Sequence, residues 1–187
     1  MSNTIKRSDV YRMMAQMGYA TPEHGQVSTI APKISSENEE AMLVVYTDEY
    51  ARGGEGMELM PAREALATYP DNYSSAYIPG DQMTSKAMRL LQVGPRRWLL
   101  QYESKNDWKV NAGDSKVTLI MEQEPQYVEA VPYPCWAVDF IQTSARGLVA
   151  VDFTLEPSLQ PIEDILTKEE IAALITMANR NFGLGRN

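Results

Sequence analysis

Two aspartates, Asp139 and Asp152, each sit at the centre of the same tripeptide, Val-Asp-Phe, within residues 135–157 (CWAVDFIQTSARGLVAVDFTLEP). Both copies lie in short apolar runs, rich in valine and aromatics, in which large and small side chains alternate. That is a strand pattern. The link 142–147 is polar and ends in Gly147, which predicts a hairpin. With the turn centred on Ala145 and Arg146, Val138 faces Phe153, Phe140 faces Val151, and Asp139 falls directly opposite Asp152. One face then carries Trp136, Val138, Phe140, Val149, Val151 and Phe153 as core. The other carries Ala137, Asp139, Ile141, Ala150, Asp152 and Thr154. Directly opposed Cβ atoms lie about 4.5–5.5 Å apart, and like charges placed so destabilise the pairing. A cation between the carboxylates offsets that repulsion. Mg²⁺ suits, because it takes one or two carboxylates and leaves its remaining positions to water and phosphate. If the turn sits one residue off, the aspartates simply point at water, and the spacing alone leaves both readings open.

Other residue types in the chain could serve such a centre. Gly53, Gly54 and Gly56 fall within 47–57 (TDEYARGGEGM), where successive backbone amides can form an anion-binding nest; a plain flexible turn is the commoner use of such a cluster. Arg89 and Lys86 stand at the start of a second hairpin, with strands 86–93 and 98–103 flanking Gly94-Pro95-Arg96-Arg97. The stretch 104–114 (SKNDWKVNAGD) either positions Lys109 and Asn111 over a site or is a solvated loop with Trp108 tucked into the core. A single histidine, His24, excludes a histidine-rich zinc site. A single cysteine, Cys135, inside an apolar strand excludes a disulfide scaffold and fits a reducing compartment.

Positioning these residues falls to a small set of elements. Ser8-Asp9 predicts a helix cap, followed by Val10, Met13, Met14 and Met17 at helical spacing and closed by Gly18. Methionines so placed read as core filler. Residues 21–38, with Pro22 and Pro32, read as a loop. Strands are expected at 41–46, at 75–78 before Pro79-Gly80, and at 117–121. Pro61 opens a short helix over 62–69 with apolar residues at Ala65, Leu66 and Tyr69. Pro157 and Pro161 bracket an irregular turn. Thr167 with Glu170 forms a capping box that launches a helix through Ile171, Leu174, Ile175 and Ala178, ending near Gly183.

The 187 residues suffice for one domain of two lobes, and 44% hydrophobic with 22% charged residues is an ordinary globular balance. A net charge of -8 and a pI near 4.7 argue against a nucleic-acid binder, which needs a basic stripe. An acidic mimic of nucleic acid would gather its carboxylates, and here they are spread. The N-terminus lacks a signal-peptide core and no apolar run approaches membrane-spanning length, so the expectation is a cytoplasmic protein with no membrane partner.

Taken in order, these segments resemble the ATP-grasp superfamily, most nearly the glutamate ligases that modify ribosomal-protein tails and the small ATP-grasp proteins of phages. Residues 52–57 (RGGEGM) are similar to the glycine-rich loop that closes over nucleotide phosphates. Tyr77-Ile78-Pro79-Gly80 stands in the place of the adenine hinge. Arg89 to Gly94, followed by 106–111 (NDWKVN), resembles the family's strand arginine, Val-Gly hairpin and later Arg-Ser-Asn segment. Residues 136–163 resemble its closing metal hairpin. Asp152 stands for the usual glutamate, Thr154 for the usual asparagine and Lys109 for an arginine, whose bidentate fork lysine lacks. Tyr46 stands near the expected phosphate-binding lysine unless Lys33 supplies it.

The resemblance implies an α+β fold of ATP-grasp-like antiparallel or mixed sheets with packed helices: an N-terminal helix and loop (1–40), a small lobe with the glycine-rich loop (41–76) and a larger lobe with the metal hairpin (77–187). It implies ATP and Mg²⁺ as cofactors, with Asp139, Asp152 and Thr154 holding the metal. Arg89 and Lys109 would stabilise the transferred phosphoryl group and Asn111 orient the acyl group. Gly53, Gly54 and Gly56 would cover the phosphates, and Tyr77 and Ile78 would contact adenine. The implied reaction is ATP-dependent ligation of a small-molecule or peptide carboxylate to an amine through an acyl phosphate. The alternative is a catalytically degenerate relative that keeps the fold and binds a protein partner as an interaction or inhibitor module.

Overall fold

The computed structural model describes residues 5–51, 54–79, 85–104, 115–123, 133–163 and 165–181. In chain order its elements are α1 (Arg7–Gln16), β1 (His24–Gln26), α2 (Val27–Glu37), β2 (Met42–Tyr46), β3 (Met57–Pro61), α3 (Ala62–Thr68), β4 (Tyr73–Ala76), β5 (Ser85–Val93), β6 (Arg96–Ser104), β7 (Ser115–Gln123), β8 (Cys135–Thr143), β9 (Gly147–Thr154), α4 (Gln160–Glu163) and α5 (Lys168–Asn181). The fold is α+β. Two sheets carry it, one of four strands in the order β1-β4-β2-β3 and one of five in the order β7-β6-β5-β8-β9. Every strand pair is antiparallel.

Three apolar clusters hold the layers together. The small sheet packs Leu43, Val45 and Met60 against Val27, Ile30, Ala31 and Ile34 of α2 and against Ala62 and Ala65 of α3. The large sheet is covered on both faces. One face packs Leu91, Val93, Trp98, Leu100 and Ala137 against Ile162, Leu166 and Ile171. The other packs Leu90, Trp136, Val138, Phe140, Ala150 and Phe153 against Val10, Tyr11 and Met14 of α1, with Tyr46 of β2 in the same cluster. Helix α1 therefore joins the two sheets.

Several readings of the sequence are corrected here. Residues 21–38 are not a loop: β1 and α2 lie within them and pack on the small sheet. Val27, Ile30, Ala31 and Ile34 form an i, i+3, i+4, i+7 stripe that Pro32 obscures. Proline removes one hydrogen bond inside the helix, while the first-turn donors find carbonyls outside it, Val27 N–H on Asn72 and Ser28 N–H on Pro70, each at 2.9 Å. Ser8-Asp9 is not the cap of α1, which begins at Arg7 with Lys6 as its N-cap and no side-chain cap. The strand expected at 75–78 runs over Tyr73–Ala76. The turn expected over four residues, 94–97, is two, since Val93 pairs with Arg96.

Other local readings hold. Gly18, at φ 81°, closes α1. The capping box forms in both directions: Glu170 N–H donates to Thr167 Oγ1 at 3.2 Å and Thr167 N–H to Glu170 Oε2 at 2.8 Å. Gly94, at φ 57°, has no room for a side chain, because a Cβ there would stand 2.6 Å from the Leu174 carbonyl of α5. Among the described residues no helix is long and apolar enough to cross a membrane.

Candidate functional site

The β8–β9 hairpin sets Asp139 directly opposite Asp152 and Val138 opposite Phe153, as the alternation of the two Val-Asp-Phe runs implied. The route differs from the one expected. Thr143 pairs with Gly147, so the turn centres on Ala145, and Phe140 pairs with Ala150 rather than Val151. Val151 is then an extra residue in β9, and the register shifts between Asp139 and Phe140. Without that bulge Asp139 would face Val151, because a bulge adds one residue to one strand only. The shift also exchanges positions in the core: Ala150 is fully buried beside Phe140, while Val151 is half-buried.

Each carboxylate has a guanidinium on it. Arg89 lies opposite Asp139 on β5. Its Nε donates to Asp139 Oδ1 at 2.6 Å and its Nη2 to Oδ2 at 2.8 Å, a bidentate fork. Nη1 also reaches the Tyr102 hydroxyl at 3.3 Å, and the guanidinium carbon stands 4.7 Å from the Tyr102 ring centre. Asp139 is only 3% exposed. Burial works to lower the Arg89 pKa, but the Asp139 carboxylate outweighs it and the net shift is upward. At Asp152, Oδ1 accepts from Arg7 Nη1 of α1 and from the Phe153 N–H at 2.8 Å. Burial likewise opposes the charge on Arg7, and Asp152 again overcomes it.

Arg7 is the residue that sequence reasoning missed. The signal was present, since Arg7, Val10, Tyr11 and Met14 make the buried stripe of α1 at helical spacing. The Arg7 guanidinium carbon lies 5.3 Å from the ring centre of Tyr46, whose hydroxyl reaches those of Tyr11 at 3.0 Å and Ser75 at 3.3 Å. Tyr46 closes β2, at the entrance to the glycine-rich connection.

In that connection Thr47 N–H bonds the Gly56 carbonyl at 2.9 Å. Gly56, at φ 58°, could not carry a Cβ, which would come within 2.9 Å of Asp48 and 2.8 Å of Ala51. Gly54 also has positive φ, at 81°. Tyr77 and Ile78 follow β4 and are half-buried; the Tyr77 N–H bonds the Met42 carbonyl at 2.9 Å. Thr154 pairs with Ala137, two residues beyond Asp152, and its Oγ1 accepts from the Glu156 N–H at 3.4 Å. Gly53, Lys109 and Asn111 lie outside the described residues. The geometry thus brings together Asp139, Asp152 and Arg89 of the expected set, and adds Arg7, with Tyr46 behind it.

Chemically, this is a pair of hard oxygen ligands with a hydroxyl nearby, a donor set that fits Mg²⁺, which needs only one or two protein carboxylates. Among the described residues no third acidic, histidine or cysteine ligand joins them.

No protein-family model matches the sequence, and no curated protein matches it. Solved structures do resemble the fold. One is ATP-grasp ligase PsnB complexed with a phosphomimetic variant of its minimal precursor, Mg and ADP, at TM-score 0.59 and 11% identity over 95% of this chain and 60% of that one. A second is the Chryseobacterium gregarium RiPP-associated ATP-grasp ligase in complex with ADP and a leader and core peptide, at 0.54 and 10% over 95% and 59%. A third is D-alanine–D-alanine ligase from Bacillus anthracis complexed with ATP, at 0.57 and 10% over 98% and 68%. The likeness is one of fold, and the chain spans about three-fifths of the length of the first two.

Proposed function

From a chain with the ATP-grasp fold, we propose a nucleotide-binding domain that acts as an ATP-dependent carboxylate–amine ligase. The observation that carries the reading is the direct opposition of Asp139 and Asp152 across β8 and β9, reached through a bulge and backed by a buried arginine on the next strand. Like charges face to face repel; here Arg89 and Arg7 offset the repulsion, and such a cluster of partly buried charges is a candidate for function.

Asp139, Asp152 and Thr154 would hold Mg²⁺, which when bound supplies charge neutralisation at the nucleotide phosphates. The chain's own groups do the rest. Arg89 and Lys109 together stabilise charge spreading over the transferred phosphoryl group, where electrostatics and positioning supply most of the catalysis. In the reaction a substrate carboxylate oxygen attacks the γ-phosphorus and ADP leaves. An amine nitrogen then attacks the acyl carbon, loses a proton and expels phosphate. Asn111 orients the acyl group, and Tyr77 and Ile78 contact the adenine. Gly53, Gly54 and Gly56 cover the phosphates and exclude water. A peptide is the favoured class of carboxylate substrate, because similar solved ligases are complexed with a leader and core peptide in one case and a precursor peptide in another. A cytoplasmic setting fits the lone thiol of Cys135.

One observation favours a second reading, a degenerate domain that binds a protein partner. Tyr46, near the place of the resemblance's phosphate-binding lysine, is 4% exposed and its hydroxyl is engaged by Tyr11 and Ser75. Titration of a fluorescent ATP analogue in Mg²⁺ separates the two. The ligase reading expects saturable binding that Asp139→Asn and Asp152→Asn each weaken, with both variants still folded by circular dichroism. Equal binding by all three proteins, or none, removes the ligase reading.

A further inference from the structure

One side chain, Arg7, joins the two hairpins that the proposed site would use. Its guanidinium donates to Asp152 on β9 and stacks over Tyr46 at the end of β2. Its backbone N–H donates to the Glu49 carbonyl at 3.1 Å, and Lys6 Nζ stands 3.3 Å from Glu49 Oε1, so the start of α1 is fastened to the glycine-rich connection. The other Glu49 oxygen, Oε2, is buried and without a hydrogen-bond partner among the described residues. Two aspartates and two arginines already balance in charge. A divalent ion added to that set would leave a net positive, partly buried cluster, which is costly in a medium of low dielectric.

The two pairs are not equally exchangeable. Asp139 is held by a two-point fork, with side-chain exposures of 10% for Arg89 and 4% for Asp139. Asp152 is held by one guanidinium nitrogen, and its side chain is 36% exposed. We propose that Arg7 is a displaceable internal counter-ion for Asp152: a divalent ion and Arg7 compete for this carboxylate, and the ion's arrival releases the latch between α1 and the glycine-rich hairpin. This rests on the assignment of Asp139 and Asp152 as the ion-holding pair.

The test uses Mn²⁺ alone, with no nucleotide, read by the electron paramagnetic resonance signal of the free ion. Arg7→Gln should bind Mn²⁺ at least about tenfold more tightly than the wild type, the floor set by removing a unit charge a few ångströms from a divalent ion even at a water-like dielectric. Arg7→Lys, which keeps the charge, should stay near the wild type. A folded Arg7→Gln that binds no better than the wild type overturns the proposal. Should that variant not fold, amide exchange of the wild type decides: Mn²⁺ should speed exchange at the Arg7 N–H as its bond to Glu49 loosens, and unchanged protection overturns the latch. An Asp152→Asn variant separates the two failures. If it binds Mn²⁺ as well as the wild type, the ion-pair assignment falls and the latch with it; if it binds worse while Arg7→Gln is unchanged, only the latch falls.

Discussion

Asp139 is only 3% exposed, and the two-point fork from Arg89 offsets its charge there. Arg89→Met should therefore cost about 3–5 kcal/mol, the range for stranding one member of a buried ion pair. Arg89→Met combined with Asp139→Leu should recover most of that loss, since apolar residues of similar size replace such pairs at little cost. Urea unfolding of the three proteins measures it; a single-variant cost below about 1 kcal/mol would place the pair with solvent-screened ones. Burial pushes the Cys135 thiol up to about 12. Only the thiolate reacts, so native protein at pH 8 should be alkylated far more slowly by iodoacetamide than protein in urea.

At the scale of elements, the β9 bulge decides which residue faces Asp139. Deleting Val151 should remove the extra residue and, with the turn-side register carried through, still set Asp152 opposite Asp139 in a regular ladder. Nucleotide binding should then be kept along with the circular dichroism of the sheet; binding lost from an intact sheet would contradict the view that the opposition of the two aspartates is what the site needs. At α5, Thr167→Ala removes one arm of the capping box and should lower the thermal midpoint by an amount equivalent to about 1 kcal/mol.

These two elements also mark what a sequence can and cannot disclose. The capping box and the paired Val-Asp-Phe runs are local patterns with local causes: the box formed as read, and the runs formed facing strands with Asp139 opposite Asp152. The bulge is not local: it depends on where the turn settles, here with Gly147 at φ 68°, and on Ala150 rather than Val151 filling the space beside Phe140. Helix α2 was hidden because Pro32 signals a break, although its apolar stripe packs the small sheet. Arg7 was hidden because a charged residue near a chain start is ordinarily solvated; only the tertiary placement of α1 between the sheets buries it.

For the molecule as a whole, the α1 layer that joins the sheets also packs against the one histidine, at the start of β1. The His24 ring stacks on Tyr11 at 4.5 Å, and its Nδ1 is 2.6 Å from the Tyr73 hydroxyl. Burial pushes the imidazole below its ordinary 6.5, with Glu23 pulling weakly the other way. The unfolded chain then takes up this proton more readily than the native one. Stability should therefore fall as pH drops from 6.5 toward the lower native value, and be unaffected by this group above 6.5. Urea unfolding across that window should show the slope in the wild type and a flatter one in His24→Gln; an identical slope would exclude His24 as its source.

The account turns on residues 139 and 152 forming a nucleotide-linked ion site, and isothermal calorimetry of the unmodified chain with ATP tests this most directly. Saturable one-site heat with Mg²⁺ present, abolished when the ion is chelated, is the predicted result. Absence of heat at millimolar ATP, or binding indifferent to chelation, would contradict it.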